Sequence, residues 1–391
     1  MAGRVRGAAP PRAIAAGDVV AAFSRVLAEW TAAQIVHVDA GSERAAVLEL
    51  DWSGPEPASV EDLGEVSPLR LTHHSWDGGL SYCNYEWVLP RSYKVIGNLP
   101  PLHDEPSRSY STGWWLGDQL ARQRRWDAGV REDPVDPGVA AYTGAEMNDL
   151  LGEPAEPHTG IRILNVGGVE SLDCERLVRR FPNVTDLGLR GDLGLLSAAG
   201  SLNGLGSLRR LHIVDLFGMG GDDRLLPQRV PALEALLLHS VPAEYAAAMR
   251  SAWRREVPNG TFVDIRGARK PEWVAENRDN PLRGWGDREQ ISGARVKKAV
   301  AQYRSTRRAV MAALAEEPDG DRRARLVEIG RRYGEAFNRL DGRSPFIETV
   351  EREELFAALD LIVDEAEAAH GSAMPWARES LASGVDTVRD W

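Results

Sequence analysis

The stretch Val230-Pro-Ala-Leu-Glu-Ala-Leu-Leu-Leu238 decides the fold, because variants of it recur along the middle of the chain. Its template is an apolar residue, then Pro or Gly, then any residue, then L-x-x-L-x-L. Three further stretches follow this template: Phe181-Pro-Asn-Val-Thr-Asp-Leu-Gly-Leu189, Leu205-Gly-Ser-Leu-Arg-Arg-Leu-His-Ile213 and Val257-Pro-Asn-Gly-Thr-Phe-Val-Asp-Ile265. Ile161-Arg-Ile-Leu-Asn-Val166 fits without the leading proline. The units start at residues 161, 184, 208, 233 and 260, at intervals of 23, 24, 25 and 27 residues.

The spacing of the apolar residues predicts one short strand in each unit. Residues i and i+2 of a strand point to the same side, so each L-x-L pair faces a common core. A single unit cannot bury that side alone, and neighbouring units therefore have to stack. We expect helices on the return segments 172–181 and 242–257. We expect one parallel sheet from residues 163–166, 187–189, 211–213, 236–238 and 263–265.

These repeats resemble the leucine-rich repeat family, whose units are about 20–29 residues long. The resemblance covers about a quarter of the chain and implies a short solenoid with apolar ends that must be capped. The chain departs from the family at the Asn/Cys position, whose side chain bonds the loop backbone. The last unit has Gly260 where a leucine belongs, so we interpret it as a degenerate closing unit. The Asn/Cys position is occupied by Val169, Asp192, Leu216 and Val241.

The family resemblance implies that the concave face of the sheet contacts a protein or peptide partner. Arginine and histidine are frequent among the outward strand positions, although the whole chain is acidic. Arginine forks pair well with carboxylates, which favours an acidic partner. Any solvated sheet face must also carry polar residues, so the sequence leaves that simpler interpretation open. The candidate partner-binding residues are Asp186, Arg190, Arg210, His212, His239, Asp264 and Arg266.

The segments before the repeats indicate a different domain. Residues 1–17 have the composition of a disordered leader, and residues 18–130 that of a tryptophan-rich α+β domain. In that domain we expect a helix over 18–30 with Asp18 as its N-cap, followed by strands at 34–38 and 45–52. The pair Gly78-Gly79 suits a hairpin turn between later strands. Residues 131–157 are rich in Pro, Asp and Glu, which indicates a linker before the repeat domain at 158–268.

The last domain, residues 269–391, is predicted to be a helical bundle. Apolar residues recur every three or four positions over 294–314, 321–340 and a third segment that ends near residue 370. The pair Ser344-Pro345 is a signal for the start of this third helix. A fourth helix is expected over 375–388. One apolar stripe on each helix and short loops between them are typical of a small bundle.

Composition excludes several classes of function. A net charge of −11 disfavours a broad nucleic-acid surface, which needs clustered cations. The two cysteines lie far apart and predict neither a disulfide framework nor a metal site, which fits a reducing cytoplasm. No apolar stretch approaches the roughly 20 residues of a transmembrane helix. Abundant arginine and alanine point to a GC-rich bacterial genome. We expect a soluble, cytoplasmic protein with neither cofactor nor metal.

The histidines of the first domain offer an alternative. His73 and His74 are adjacent, and adjacent residues of a strand point to opposite faces, which disfavours a shared metal ion. His37 and Asp39 lie on one strand face, but no second cluster of spaced ligands accompanies them, so a core or surface role is favoured there too. No G-x-S-x-G element or spaced Cys/His pair indicates a nucleophile, so no catalytic residue is predicted. An enzyme or ligand site in residues 18–130 would gain support if His37, His73, His74 and Asp77 converged in a cleft.

Together these features predict an α/β chain. The expected core is a short leucine-rich-repeat solenoid with a parallel sheet, flanked by an N-terminal α+β domain and a C-terminal helical bundle. The expected function is a non-enzymatic protein–protein interaction scaffold. The alternative is an enzyme or ligand-binding protein with its site in the N-terminal domain, because a fold does not dictate a function.

Overall fold

The computed structural model of the chain describes residues 14–111, 113–315, 321–342 and 344–391. Most of the expected leader, residues 1–13, lies outside the described residues. The chain divides into two compact units, one up to Lys270 and the other from Pro271 onward. In the described ranges, no helix is both long enough and apolar enough to cross a membrane.

The first unit begins with a five-stranded antiparallel sheet. Two further short strands pair with each other across Gly78, whose φ of +81° suits the expected turn. The strands predicted at 34–38 and 45–52 are confirmed. The elements are β1 (Asp18–Ser24), β2 (Glu29–Asp39), β3 (Arg44–Gly54), β4 (Arg70–Leu71), β5 (Gly79–Leu80), β6 (Tyr82–Glu86), β7 (Lys94–Asn98) and α1 (Asp118–Asp127). The strand order of the antiparallel sheet is β6-β3-β2-β1-β7, and β4 pairs with β5.

The helix expected over residues 18–30 is wrong, because its first half forms β1 and its end belongs to β2. Strand β1 lies inside the sheet, between β2 and β7. Val20 and Ala22 pack into one core cluster, whereas Val19 and Ala21 pack into another. A strand that is buried on both faces shows no alternation of polar and apolar residues. Periodicity alone therefore does not distinguish its apolar run from a buried helix.

The first unit continues with a six-stranded parallel sheet, in which strands that are neighbours in the sheet also follow one another in the sequence. The predicted pairing of the repeat strands in one parallel sheet is confirmed. Its elements are β8 (Val139–Thr143), α2 (Gly144–Gly152), β9 (Ile163–Asp173), α3 (Cys174–Arg180), β10 (Asp186–Ser197), β11 (Arg210–Phe217), β12 (Ala235–His239), α4 (Ala243–Trp253) and β13 (Phe262–Arg266).

Strand β8 lies in the segment that was interpreted as a linker. It pairs with β9 and forms one edge of the parallel sheet. The repeat pattern does not reveal this strand, because its inward residues are Ala140 and Tyr142 and not leucines. Its other residues, including the half-exposed Val139, point away from the core.

The buried side of the parallel sheet packs against the return segments. Leu187, Leu211 and Leu236 belong to one core cluster with Leu177 of α3 and Tyr245 of α4. The expected helices at 172–181 and 242–257 correspond to α3 and α4. Each repeat also has a residue in the left-handed conformation, close to the end of the apolar pair of its strand. These residues are Gly168, Leu193, Asp215, Ser240 and Gly267. This conformation recurs in every unit, although the residue type differs.

The second unit is helical, and the four predicted helices are confirmed. The expected start of the third helix at Ser344-Pro345 is wrong: it begins at Thr349, where Glu348 and Glu351 form a capping box. Helices α7 and α9 pack closely, since a Cβ atom on Gly384 would lie 2.0 Å from the carbonyl oxygen of Val327. The elements are α5 (Pro271–Asn277), α6 (Gly293–Ala315), α7 (Arg322–Asp341), α8 (Thr349–His370) and α9 (Pro375–Asp386).

Candidate functional site

The parallel sheet has a face opposite α3 and α4, which we call the polar face. The strand register arranges its outward residues in rows across the sheet. One row holds Asp186 and Arg210, near the amino ends of the strands. The next row contains Asn165, Gly188, His212, Leu237 and Asp264, and the row after it contains Arg190, Val214, His239 and Arg266. All seven of the expected partner-binding residues therefore lie on one face of the sheet.

The part of the first unit before residue 131 contains the antiparallel sheet, and we call it the N-terminal domain. It covers the amino-end half of the polar face, which we call the covered half. Glu234 accepts hydrogen bonds from the backbone N–H of Ser92, at 2.9 Å, and from Arg209, at 2.7 Å. Arg91 donates to the hydroxyl of Thr261 at 2.5 Å. These contacts join the β6–β7 connection to three successive repeats. The covered half is thus an internal interface of the first unit.

Gly260, which appeared to be a defect of the last repeat, belongs to the same interface. Its φ is +93°, and a Cβ atom there would lie 2.7 Å from both the Arg91 nitrogen and the Leu89 oxygen. A leucine at this position would collide with the N-terminal domain. The departure from the repeat pattern therefore follows from the close approach of the two backbones.

Asp186 and Arg210 also belong to the covered half, which corrects the expectation that they are open to a partner. The Arg210 guanidinium lies 4.0 Å from the ring centroid of Trp115 and 3.9 Å from an Asp186 oxygen. The side chains of Arg210 and Asp186 are only 20% and 17% exposed. Burial lowers the pKa of Arg210 below its ordinary value, although Asp186 opposes that effect. Arg210 therefore contacts the N-terminal domain through Trp115, and Asp186 pairs with Arg210.

The carboxyl-end half of the polar face, which we call the open half, carries the remaining predicted residues. Asp264 accepts a hydrogen bond from Nε2 of His239 at 3.3 Å and another from Nε of Arg266 at 2.7 Å. Burial acts to raise the pKa of Asp264, but these hydrogen bonds outweigh it and leave that pKa below its ordinary value. The charges of Asp264 and Arg266 therefore compensate each other.

His212 lies beside this cluster and is poorly satisfied. Its ring makes an edge-to-face contact with His239, with 5.4 Å between the centroids. Its Nε2 atom is buried and has no hydrogen-bond partner in the described structure. Burial lowers the pKa of His212, and the nearby His239, Arg190 and Arg210 act in the same direction. The imidazole is consequently neutral near pH 7, and its buried Nε2 atom has no hydrogen-bond partner among the described residues.

A small pocket of about 160 Å³ opens beside His212. Arg190, Asn165 and Val214 line it, and Gly188 leaves room for it because it has no side chain. A Cβ atom on Gly188 would lie 2.4 Å from Oδ1 of Asn165. Arg190 is exposed and makes neither an ion pair nor a side-chain hydrogen bond with any described residue. The open half therefore presents an uncompensated guanidinium next to a neutral imidazole.

The histidines of the first domain do not form a comparable site. His73 and His74 occupy a turn, not the strand that was assumed, so their rings meet with their Nδ1 atoms 3.1 Å apart. His73 also contacts Gln119 at 3.0 Å, whereas His37 lies in β2 opposite Ala46. Asp77 follows in the same turn as His74, with a positive φ. Within the described ranges, no cluster of three or more His, Cys, Asp or Glu residues suits a metal ion.

The N-terminal domain has a groove that no sequence motif predicts. Its volume is about 390 Å³, and its charged lining includes Asp51, Arg70, Arg124 and Asp127. Gln123 on its wall is already engaged, because it accepts from the backbone of Thr72 at 2.7 Å and donates to Asp127 at 2.8 Å. These residues come from three separate segments, so no local motif announces the groove.

The pocket beside Arg190 was also missed as a unit, although its residues were recognised as outward strand positions. The sequence feature that indicates the pocket is Gly188, a small residue that lies between the larger outward residues Asn165 and His212 of the neighbouring strands. This arrangement can be recognised only when the strand register is known. Comparisons with protein-family models, with curated proteins and with solved structures find no match to this chain.

Proposed function

We propose that this chain is a protein-interaction module of the leucine-rich repeat kind, and that the open half of its polar face binds an acidic segment of a partner protein. The observation that carries the proposal is Arg190, an exposed arginine without a countercharge among the described residues. Its neighbour Arg266 is neutralised by Asp264. On a chain with a net charge of −11, an unpaired cation on an open sheet face favours contact with carboxylates.

The solenoid part of the proposal is supported by strand order and by the recurring turn. Parallel strands that are adjacent both in the sheet and in the sequence are what stacked repeats produce. The left-handed residue in each unit adds a second feature with the same period. The capping that a solenoid requires is supported just before β13, where Gly260 lies against the N-terminal domain.

The groove of the N-terminal domain favours a second candidate function, the binding of a small polar ligand. Its lining contains two positive residues, Arg70 and Arg124, and two negative residues, Asp51 and Asp127. A zwitterionic molecule would complement such a lining. The four charged side chains of its lining are exposed to solvent, whereas small-molecule sites usually bury most of the ligand. The open half of the polar face remains the stronger candidate.

Site-specific photocrosslinking tests the main proposal. A crosslinking amino acid at Leu237, in the middle of the open half, should capture a protein partner in cells. The same amino acid at the exposed Arg254, at the end of α4, is the matched control. Capture at position 237 should disappear in the Arg190→Glu variant and persist in Arg254→Glu. Equal capture at both positions, or capture that Arg190→Glu leaves unchanged, would overturn the proposal.

A further inference from the structure

The pocket beside Arg190 offers hydrogen-bond donors and lacks acidic groups. Arg190 supplies a guanidinium, and Asn165 supplies an amide. The described residues that line the pocket include no carboxylate. Val214 provides an apolar wall, and Gly167 and Gly188 leave the floor without side chains. A donor-rich recess of this size has space for one small anionic group but not for a larger ligand.

The charge of the surroundings decides which anion fits. Among the described residues around the pocket, only Arg190 is uncompensated, because Asp264 neutralises Arg266, Asp186 pairs with Arg210 and His212 is neutral near pH 7. One guanidinium balances the single charge of a carboxylate, whereas a phosphate group carries nearly two charges. The buried Nε2 atom of His212 needs a partner, since an unsatisfied buried polar group costs about 1–3 kcal/mol.

We propose that this pocket binds one carboxylate of the partner, between the guanidinium of Arg190 and the imidazole of His212. The inference rests on the proposed function and names the chemical group that the open half recognises. The carboxylate belongs either to an Asp or Glu side chain or to the carboxyl terminus of a chain. Both sources present the same group, and the experiment distinguishes them.

Carboxylate binding at this position is linked to protonation of His212. The groups that face His212 are Arg190 on β10, Arg210 on its own strand, His239 on β12 and Asp264 on β13. Three of them disfavour the imidazolium, and only Asp264 favours it. A bound carboxylate adds a second favourable charge and raises the pKa of His212. Affinity therefore increases as the pH falls through the pKa of the bound state, and it levels off below the pKa of the free state.

The test is an NMR titration of the full chain labelled with ¹⁵N-histidine. The probes are N-acetyl-glutamic acid α-amide for a side-chain carboxylate, N-acetylglycine for a chain terminus, and inorganic phosphate. Loss of a signal in His212→Gln assigns the imidazole resonance. We expect a carboxylate probe to shift that resonance and to raise the pKa that it reports. The probe with the greater affinity identifies the source of the carboxylate.

Matched variants separate charge from shape. Arg190→Gln should weaken carboxylate binding by about tenfold or more, since a charged hydrogen bond is lost. Gly188→Ala keeps every charge but moves a methyl group against Asn165, and it should also weaken binding. Arg254→Gln, an arginine near the carboxyl end of α4, should have no effect. Native-like ¹H–¹⁵N spectra of these variants establish that they are folded.

Several results would overturn the inference. These are a His212 resonance that ignores both carboxylates, an affinity that Arg190→Gln leaves unchanged, and tighter binding of phosphate. If the probes fail while crosslinking at Leu237 still depends on Arg190, the carboxylate pocket is wrong and the proposed function stands. If both fail, the open half is not a binding surface.

Discussion

At the scale of single residues, Glu49 is the least expected group in the chain. It lies in β3 and is 3% exposed. Its carboxylate oxygens accept hydrogen bonds from the hydroxyl of Ser81 at 2.7 Å and from the backbone N–H of Gly117 at 3.0 Å. Burial raises the pKa of Glu49 to about 7, although both hydrogen bonds act to lower it. This carboxyl group connects the antiparallel sheet to the start of α1.

The raised pKa makes the stability of the first unit depend on pH. Between the ordinary value of 4.5 and about 7, the folded chain keeps a proton that the unfolded chain releases. The stabilising contribution is therefore complete below 4.5 and is lost as the pH rises through 7. Glu49→Gln mimics the protonated form and should stabilise the chain at pH 8 by up to about 3 kcal/mol. Chemical denaturation at pH 5 and pH 8 measures this difference.

The exposed Glu65 provides the control for this prediction. Glu65→Gln should leave the pH dependence of the wild type unchanged. A Glu49→Gln variant with the same loss of stability between pH 5 and pH 8 as the wild type would show that Glu49 is not the titrating group.

At the scale of the repeat elements, hydrogen bonds to Asp215 bridge neighbouring units. Val169, Leu216 and Val241, three of the residues aligned with the Asn/Cys position, are buried and apolar. Asp215 connects three successive units instead. Its Oδ2 atom accepts from the backbone N–H of Leu193 at 3.1 Å, and its Oδ1 atom accepts from the hydroxyl of Ser240 at 2.8 Å. Asp215 also has the left-handed conformation that aspartate tolerates better than most residues.

Asp215→Ala should therefore destabilise the repeats. The variant loses both bridges, leaves the Leu193 N–H without its acceptor, and forces alanine into a left-handed conformation. We expect the free energy of unfolding to fall by about 1–3 kcal/mol. Asp222→Ala removes a fully exposed carboxylate of the neighbouring turn and should change it by less than about 0.5 kcal/mol. Faster hydrogen exchange at Leu193 in Asp215→Ala alone would locate the effect, and equal exchange in both variants would contradict it.

At the scale of the whole first unit, the N-terminal domain determines how much of the polar face is available. The ion pair of Glu234 and Arg209 is central to this interface, and Glu234 also binds Ser92. Their side chains are 9% and 29% exposed, so Glu234 is nearly desolvated. The contact of Glu234 and Arg209 with Ser92 places the N-terminal domain over one half of the polar face and leaves the other half open.

Glu234→Ala should loosen this interface, because Arg209 loses its countercharge and the backbone N–H of Ser92 loses its acceptor. We expect a loss of about 2 kcal/mol, below the cost for a fully buried pair because Arg209 keeps some contact with water. Denaturation followed by tryptophan fluorescence measures the loss. Glu175→Ala removes an exposed pair with Arg179 in α3 and should cost less than about 0.5 kcal/mol. Equal losses in the two variants would mean that the Glu234 contact does not hold the domains together.

The sequence by itself determined the parallel sheet and the long helices. The apolar pairs of the repeat specify register strongly, because a shift by one residue would move leucines such as Leu211 and Leu236 out of the core. The apolar stripes of α6 to α9 repeat over several helical turns, so the helical periodicity of the sequence is unambiguous in these segments. The outward positions Arg190, His212, His239, Asp264 and Arg266 followed directly from the register.

Only the tertiary structure decided which of those outward residues are open. Trp115, Ser92 and Arg91 reach the sheet from more than 90 residues away, and no local pattern announces such contacts. The strand β1 was mistaken for a helix for a related reason, since both of its faces are covered by distant elements. Local sequence specifies which side of an element is apolar. What covers the other side depends on distant parts of the chain, and in this protein that cover confines the candidate site to the half around Arg190 and His212.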